Sequence, residues 1–542
     1  MRPGDEEEAP LVLSPRRGGP SPLAGGRAAW FGTSHNGATQ EAQSYGAFVK
    51  STDHSSMDTI SHQVDDDTSL PSTRLPRLFE NWPLLVEMLA SYTLGLAAFS
   101  SNSSPWTVGL IFAGLAHAAS TSAVSGGAGS YYLQANPVLT LGQLVRGHLS
   151  LPRAVLYCGA QFLGITLACL TFATSTGGGA MHAVGSLTSC DALPWGHGLF
   201  LTTIFASAFA YVALAAWDSM SLALEACCSF YGLATGAAYA AAMASVQSRS
   251  ISSGLLNPWV GLVGVISSAL APSAGSDHAG FGHNGPSSMA CDTVFILGPL
   301  LGALLGCFLS WLTSLHGSEK EAMLRALSPI APLLVETVGV MFLVLSLGAA
   351  QQGWIPGAFA LALTLCAWRR SGAQFNPSVT LAIFLLKRRM FRWTSLLFYI
   401  LAHVAGALLG TCLLLLLPPS REMAAPSLLD TPVVLGLDEA LLLLVFTTAY
   451  LAVFVANTDA EYDEGFLHPA LMVGLTLTGL LGALAGRDGD VLLTGLYNPA
   501  VTLVVWAVAR ASVGTVLLGA SLQLLASGLV FALFWGKAQV SL

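Results

Sequence analysis

Four Asn-Pro pairs constrain the fold of this chain more than any other feature of its sequence. They are Asn136-Pro137, Asn257-Pro258, Asn376-Pro377 and Asn498-Pro499, each at the start of a short apolar stretch. The two pairs of the first half are 121 residues apart (257 − 136), and those of the second half are 122 apart (498 − 376). A single Asn-Pro pair marks a turn, but four at this spacing indicate one structural unit that occurs twice.

Composition places most of the chain in a lipid bilayer. Of 542 residues, 53% are hydrophobic and 10% are charged, whereas soluble domains carry about 25% charged residues. No basic patch suggests a nucleic acid partner. The sequence shows no zinc-like Cys/His spacing, nucleotide motif or catalytic constellation, so we expect no metal, no cofactor and no enzyme activity.

Each unit has room for six membrane-spanning helices, since one span needs roughly 20 apolar residues. We predict spans at 83–101, 106–124, 152–174, 198–217, 226–246 and 292–314, and again at 330–350, 353–369, 393–417, 432–455, 466–485 and 512–535. Residues 1–79 are rich in Pro, Gly, Ser and acid, which predicts a disordered tail. A charged linker, 316–329, separates barrel 1 (80–315) from barrel 2 (330–542).

Basic residues set the predicted orientation in the membrane. Arg74 and Arg77 precede the first span, and the segments "VRGHLSLPR" (145–153) and "KRRMFR" (387–392) follow the second span of each unit. All of them fall on one side, which the positive-inside rule assigns to the cytosol. Both termini are therefore expected in the cytosol.

Each Asn-Pro pair is expected to begin a helix, because Asn is a favoured N-cap and Pro a favoured first helical residue. The following apolar stretches cover only about half a bilayer. Within a unit, one follows the second span and the other the fifth, so the two enter from opposite sides. Their N-termini then meet near the midplane, as in an inverted repeat around a central site.

This arrangement resembles the aquaporin, or major intrinsic protein, family written twice in tandem. "SGAQFNPSVTLA" (371–382) and "TGLYNPAVTL" (494–503) are similar to the two pore loops of that family. "YCGAQFLGITLA" (157–168) and "GPLLGALLG" (298–306) resemble its third and sixth helices. The resemblance implies an all-α membrane protein with about 12 transmembrane helices and four re-entrant half-helices.

The resemblance also implies a function: passive diffusion of water and/or small uncharged solutes. The paired Asn amides would face the pore, and the half-helix dipoles would oppose cations. The partners would be the lipid bilayer, water, small neutral solutes and a second copy, a homodimer giving four barrels. The membrane is either the plasma membrane or an internal, vacuolar one. The alternatives are a non-conducting structural or adhesive protein of this fold, and an inverted-repeat secondary transporter.

Three carboxylates lie in apolar spans, where a charge is costly and indicates function. They are Glu87, Glu336 and Glu439. The resemblance implies that each supports the backbone of a half-helix loop by hydrogen bonds. His403 replaces the Gln that the family has in its third helix, whereas Gln161 keeps it in the first unit.

The selectivity filter departs from the family pattern. The family carries Arg three residues after the second Asn of each barrel, and here those positions are Val260 and Val501. In barrel 2, Phe359 is a candidate for the aromatic filter position, and Leu480 or Leu481 for the position on the fifth helix. In barrel 1, the counterpart of Phe359 is either Phe112 or Ala113. Loss of the Arg predicts a wider, more apolar constriction, which either favours uncharged solutes such as glycerol, urea or ammonia, or dewets and closes.

The two barrels are unequal. In barrel 2, Ser371 leads to Asn376 in five residues, but in barrel 1 Ser125 leads to Asn136 in eleven. Trp259 follows Pro258 where the family has a small residue, and its indole is a candidate plug. Barrel 2 is therefore the better pore candidate.

Two cysteines are candidates for a disulfide bond. Cys190 and Cys291 lie in Gly/Ser-rich segments, predicted to be loops on the non-cytosolic side. An oxidising environment there would allow them to pair.

Overall fold

The chain folds into two helical bundles in a computed structural model. The structure describes residues 82–101, 104–121, 132–176, 194–221, 230–248, 256–270, 286–314, 330–349, 352, 354–387, 391–417, 436–458, 469–485, 497–502 and 512–536. Within these ranges there is no strand. The tail 1–79, the linker 316–329 and Cys190 lie outside them, so the predictions for these residues stay predictions.

In the described residues of barrel 1 there are six long helices and two short ones. The long helices are α1 (Trp82–Ser100), α2 (Pro105–Thr121), α4 (Leu151–Thr176), α5 (Trp195–Ser221), α6 (Tyr231–Gln247) and α8 (Pro286–Ser314). The short helices are α3 (Pro137–Val145) and α7 (Pro258–Leu270). Cys291 lies within α8, which starts six residues before the predicted span at 292, and not in a loop.

Barrel 2 repeats this order. Its long helices are α9 (Ala331–Ala349), α10 (Trp354–Ser371), α12 (Trp393–Leu415), α13 (Leu437–Asn457), α14 (Pro469–Ala485) and α15 (Val513–Leu533). The short helix α11 (Pro377–Leu386) begins at the third Asn-Pro pair, and a fourth short helix begins at Pro499 and is described to residue 502.

Eight of the described helices are long and apolar enough to cross a membrane. The other four long helices, α2, α6, α10 and α14, have 17 or 18 residues. The predicted fold class is confirmed, and the chain is a multi-pass membrane protein.

Glycines bring the helices of each bundle into close contact. A Cβ on Gly302 of α8 would lie 2.6 Å from the carbonyl oxygen of Thr203 on α5. A Cβ on Gly406 of α12 would lie 2.3 Å from the carbonyl oxygen of Thr337 on α9. Small residues allow such backbone approach in membranes, where packing and hydrogen bonds hold helices together.

The two barrels pack against each other through helices α5 and α6 of barrel 1 and helices α9 and α10 of barrel 2. Tyr211 meets Phe342 with ring centroids 5.8 Å apart. Near the start of α2 and of α10, Trp106 and Trp354 are 4.2 Å apart. The fourth and fifth spans of one unit thus contact the first and second spans of the next.

An ion cluster joins the barrels on the predicted cytosolic side. The Asp218 carboxylate on α5 accepts from the Arg146 guanidinium at 2.7 Å and from Arg370 of barrel 2 at 3.3 Å. The Ser314 hydroxyl donates to the same oxygen at 2.8 Å. Both guanidinium groups are largely buried, so one carboxylate holds two charges that would otherwise be costly to bury.

Candidate functional site

The four Asn side chains cap the short helices, in agreement with their sequence pattern. Each Oδ1 accepts from the backbone N–H two residues later, at 3.0 Å for Asn136, 3.0 Å for Asn257, 2.8 Å for Asn376 and 3.1 Å for Asn498. Proline follows each Asn and has no N–H that would need a partner.

The same amides join the two half-helices of each barrel. In barrel 1, Asn136 Nδ2 donates to the Leu256 carbonyl at 3.3 Å. In barrel 2, Asn376 Nδ2 donates to the Tyr497 carbonyl at 3.0 Å, and Asn498 Nδ2 donates to the Phe375 carbonyl at 2.7 Å. The N-termini of the two half-helices therefore meet inside each barrel.

The residue before the Asn has a left-handed backbone in three of the loops. The φ angles are 48° at Ala135, 45° at Leu256 and 49° at Phe375. This conformation costs non-glycine residues roughly 1–2 kcal/mol each. The Leu256 carbonyl accepts the hydrogen bond from Asn136 in barrel 1, and the Phe375 carbonyl accepts that from Asn498 in barrel 2. The strained turn therefore directs each carbonyl toward the opposite half-helix of the same barrel.

Glu87 lies fully buried behind the first loop of barrel 1. Its carboxylate accepts from the backbone N–H of Gln134 at 2.8 Å and of Ala135 at 2.7 Å. Gln161 donates to the same carboxylate at 2.8 Å and to the Thr140 hydroxyl at 2.9 Å. These are the contacts that a support for the half-helix loop requires.

Glu336 occupies the equivalent place in barrel 2. It accepts from the backbone N–H of Gln374 at 3.0 Å and from that of Phe375. His403 lies 3.0 Å from the carboxylate through Nε2, where barrel 1 has Gln161. The imidazole thus takes over the position of the amide and stays buried beside the carboxylate.

Glu439 makes a different contact in the described structure. It lies in the first turn of α13 and accepts from the backbone N–H of Gly436 at 2.7 Å, closing a capping arrangement at the start of its own helix. Most of the loop that leads to Asn498 lies outside the described residues. Its support of that loop therefore stays a prediction.

The four candidate filter residues are all buried, but they do not all have the same neighbours. Val260 and Val501 lie one turn into the second half-helix of each barrel, and Leu481 lies on α14. The ring of Phe359 lies 6.3 Å from that of Phe205 on α5, at the boundary between the barrels. The sequence alone did not predict that Phe359 lies beside Phe205 of the other barrel.

Trp259 borders a lateral groove of barrel 1. Its indole packs edge-on against Phe162 of α4, with centroids 5.3 Å apart. The groove has a volume of about 580 Å³ and lies between α4 and α8, with Pro137 and Pro258 in its wall. Gly159 also lines the groove, and a Cβ added to it would meet no atom within 4 Å. Trp259 as a plug of the lumen stays a prediction.

Barrel 1 carries an aromatic cluster from three helices. Phe209 and Tyr239 stack with centroids 4.6 Å apart, and Phe112 lies edge-on to both, at 6.1 and 5.4 Å. All three are buried. The sequence pattern does not single out Phe209 and Tyr239, because Phe and Tyr are ordinary in apolar spans. Only the occurrence of such rings on three helices of the same barrel indicates a cluster.

A second aromatic group lies at the predicted cytosolic end of barrel 1. Tyr132 contacts Trp217 and Tyr231, with centroids 4.1 and 5.4 Å apart. His148, in the segment between α3 and α4, stacks on Trp217 at 5.7 Å. Burial lowers the pKa of His148, and the nearby Asp218 opposes this effect, so the ring favours its neutral form.

Comparisons with known proteins agree with the tandem pattern. A family model described as "Major intrinsic protein" matches residues 85–310 and 337–486. A "Probable aquaporin TIP1-2" of Oryza sativa subsp. japonica is 38% identical over 120 residues, which are 22% of this chain and 48% of the relative. An "Aquaporin TIP1-1" of Arabidopsis thaliana is 34% identical over 123 residues, covering 22% and 49%. An "Aquaporin-1" of Rhizophagus irregularis is 30% identical over 147 residues, covering 27% and 50%. The chain spans about half the length of the curated relatives it matches.

Proposed function

Because the chain belongs to the major intrinsic protein family, we propose that it is a membrane channel for passive diffusion of water and small uncharged solutes. The observation that carries this proposal is a pair of hydrogen bonds inside barrel 2. The side-chain amides of Asn376 and Asn498 each donate to the carbonyl of the residue that precedes the opposite Asn. Two helix N-termini then direct positive potential to the same midplane site, which opposes cations.

We propose barrel 2 as the better pore, with a filter that lacks a fixed charge. Val501 stands where the family has Arg, and Leu481 is its candidate neighbour. An apolar constriction favours uncharged solutes such as glycerol, urea and ammonia over strict water selectivity. Phe359 is less suited to this filter, since Phe205 of barrel 1 is its aromatic neighbour.

The test is stopped-flow light scattering of proteoliposomes under osmotic gradients of sucrose, glycerol and urea. We expect faster shrinkage in sucrose than protein-free liposomes show, and re-swelling in glycerol or urea. Equal rates with and without protein for every solute would support the structural or adhesive alternative instead. Uptake that depends on an imposed ion gradient would support a secondary transporter.

A homodimer that closes a ring of four barrels is the proposed assembly. Helices α5 and α6 of barrel 1 already contact α9 and α10 of barrel 2. The equivalent faces, α1 and α2 of barrel 1 and α13 and α14 of barrel 2, expose apolar side chains to the surroundings: Leu85, Leu89, Leu110, Leu441, Val445 and Leu475. Repeating the observed contact between two copies would cover both faces and close the ring.

Native mass spectrometry from nanodiscs tests the dimer. We expect a species of twice the 56.3 kDa chain mass, and a single-chain species would overturn it.

For the location, we propose a plasma or vacuolar membrane with both termini in the cytosol. Accessibility of an epitope tag at each terminus in intact cells checks this orientation.

A further inference from the structure

We propose that an aromatic cluster of Phe112, Phe209 and Tyr239 closes the lumen of barrel 1 at the level of its Asn pair. This inference rests on the proposed channel function and deepens it, because it names the residues that make one pore of the chain non-conducting. Barrel 1 then serves as a closed partner that completes the assembly around barrel 2.

The geometry of the cluster is that of a filled space. One ring comes from α2, one from α5 and one from α6, so the cluster links α6 to the helix on either side of it. Phe112 and Phe209 are fully buried and Tyr239 is 2% exposed. Interiors packed in this way leave no path for a solute unless a ring is displaced, and each ring is held by the other two.

The contacts of Tyr239 place the cluster at the Asn pair. The Tyr239 hydroxyl is in hydrogen-bonding contact with the Asn136 side chain. Two turns earlier on α6, the Tyr231 hydroxyl donates to the Leu133 carbonyl at 3.3 Å, so this face of α6 follows the loop that leads to Asn136. The phenol thus lies beside the Asn136 amide, the group that the proposed pore would present to a solute.

Glycine packing identifies the equivalent positions of barrel 2. A Cβ on Gly109 of α2 would meet Ala240 of α6, and one on Gly357 of α10 would meet Thr478 of α14. Phe112 follows Gly109 by three residues, as Ala360 follows Gly357. The counterpart of Phe112 is therefore Ala360, and that of Phe359 is Ile111, neither of the two positions considered from sequence.

The counterpart of Tyr239 follows from the same packing. A Cβ on Gly236 would meet Ala113, and one on Gly474 would meet Leu361, the residue equivalent to Ala113. Tyr239 lies three residues after Gly236 and Leu477 three after Gly474. Barrel 2 has a Tyr of its own beside Asn498, Tyr497, but it carries Ala and Leu where barrel 1 has Phe and Tyr.

The experiment exchanges these residues between the barrels of the full-length chain. Phe112→Ala with Tyr239→Leu gives barrel 1 the residues of barrel 2, and osmotic water permeability should rise about twofold, since two pores would then conduct in parallel. Ala360→Phe with Leu477→Tyr transfers the rings to barrel 2 and should abolish flux. Phe205→Leu, which loosens a buried ring at the barrel boundary, is the matched control and should leave permeability unchanged.

Two outcomes separate this inference from the channel function. If the wild-type protein conducts and the well-folded Phe112→Ala/Tyr239→Leu variant conducts no faster, the cluster does not close barrel 1. If neither protein conducts, the channel proposal itself fails. Should the double variant elute as an aggregate, the single variants Phe112→Ala and Tyr239→Leu replace it. Each removes one ring of the cluster and should raise the rate, and an unchanged rate in both overturns the proposal.

Discussion

Barrel 1 and barrel 2 share a scaffold but differ in what fills it. In both, a buried Glu holds two backbone N–H groups of the first loop, and an Asn amide reaches across to the opposite half-helix. At the level of the Asn pair, barrel 1 has Phe112 and Tyr239 where barrel 2 has Ala360 and Leu477. The comparison teaches that the support of the loops does not depend on the residues near the Asn pair, because both barrels retain the support although these residues differ.

The largest expected effect comes from removing the loop supports one at a time. Glu336→Gln keeps one acceptor oxygen but places an NH₂ group against a second backbone N–H, which costs about 3 kcal/mol of unfolding free energy. We expect permeability to fall to the level of protein-free liposomes, since the displaced loop carries Asn376. Glu87→Gln should cost a similar stability and leave the flux unchanged, because barrel 1 is closed.

The measurement pairs thermal unfolding in detergent with stopped-flow shrinkage for both variants. Equal loss of flux in Glu87→Gln and Glu336→Gln would show that both barrels conduct, or that each depends on the other. The asymmetry between the barrels would then have to be abandoned.

Introducing an Arg at the filter position of each barrel in turn tests which barrel carries the solute. Val501→Arg restores a cation with directional donors to the constriction of barrel 2, and it should reduce glycerol permeability relative to water on the order of tenfold. Val260→Arg makes the same change in barrel 1 and should alter neither rate. A fall in glycerol permeability for Val260→Arg would place the solute path in barrel 1.

Sequence patterns predicted the parts of the site that depend on local chemistry. The Asn caps and the half-helices follow from Asn-Pro itself. A carboxylate in an apolar span marks Glu87 and Glu336 as functional candidates, and the family resemblance implied that they support the loops. The rotation of a helix about its own axis was not predictable in this way. A membrane helix that is apolar all round gives no periodicity from which to read its lumen-facing side. The sequence therefore predicted Phe359 as a filter residue, although its neighbouring ring is Phe205 of the other barrel.

The left-handed turns were also beyond prediction, for a different reason. Ala135, Leu256 and Phe375 have positive φ, a conformation for which sequence reasoning expects Gly. The carbonyl bonds to the opposite Asn, together with the Glu supports, offset this local strain. Those partners lie more than a hundred residues away for Leu256 and Phe375, so no local window contains the reason.

A smaller effect on permeability is expected at the contact that joins the barrels. Asp218→Asn removes the charge shared by Arg146 and Arg370 and leaves two largely buried guanidinium groups without a carboxylate, at a cost of about 3 kcal/mol. With a protease site inserted in the linker 316–329, cleaved wild-type halves should remain together on gel filtration. The cleaved Asp218→Asn halves should separate, and co-elution of the variant halves would show that apolar packing alone holds the barrels.

The smallest effect is expected for Trp259→Ala, which tests the other residue considered as a closure of barrel 1. Its indole borders the groove between α4 and α8 and packs on Phe162, so its removal enlarges that groove and should leave water permeability unchanged. Gly159→Leu fills the same groove, because nothing lies within 4 Å of an added Cβ, and it should also leave the flux as it was. A rise in permeability for Trp259→Ala alone would assign the closure to the indole, and the difference between the barrels would then rest on Trp259 and Ala500 rather than on Tyr239 and Leu477.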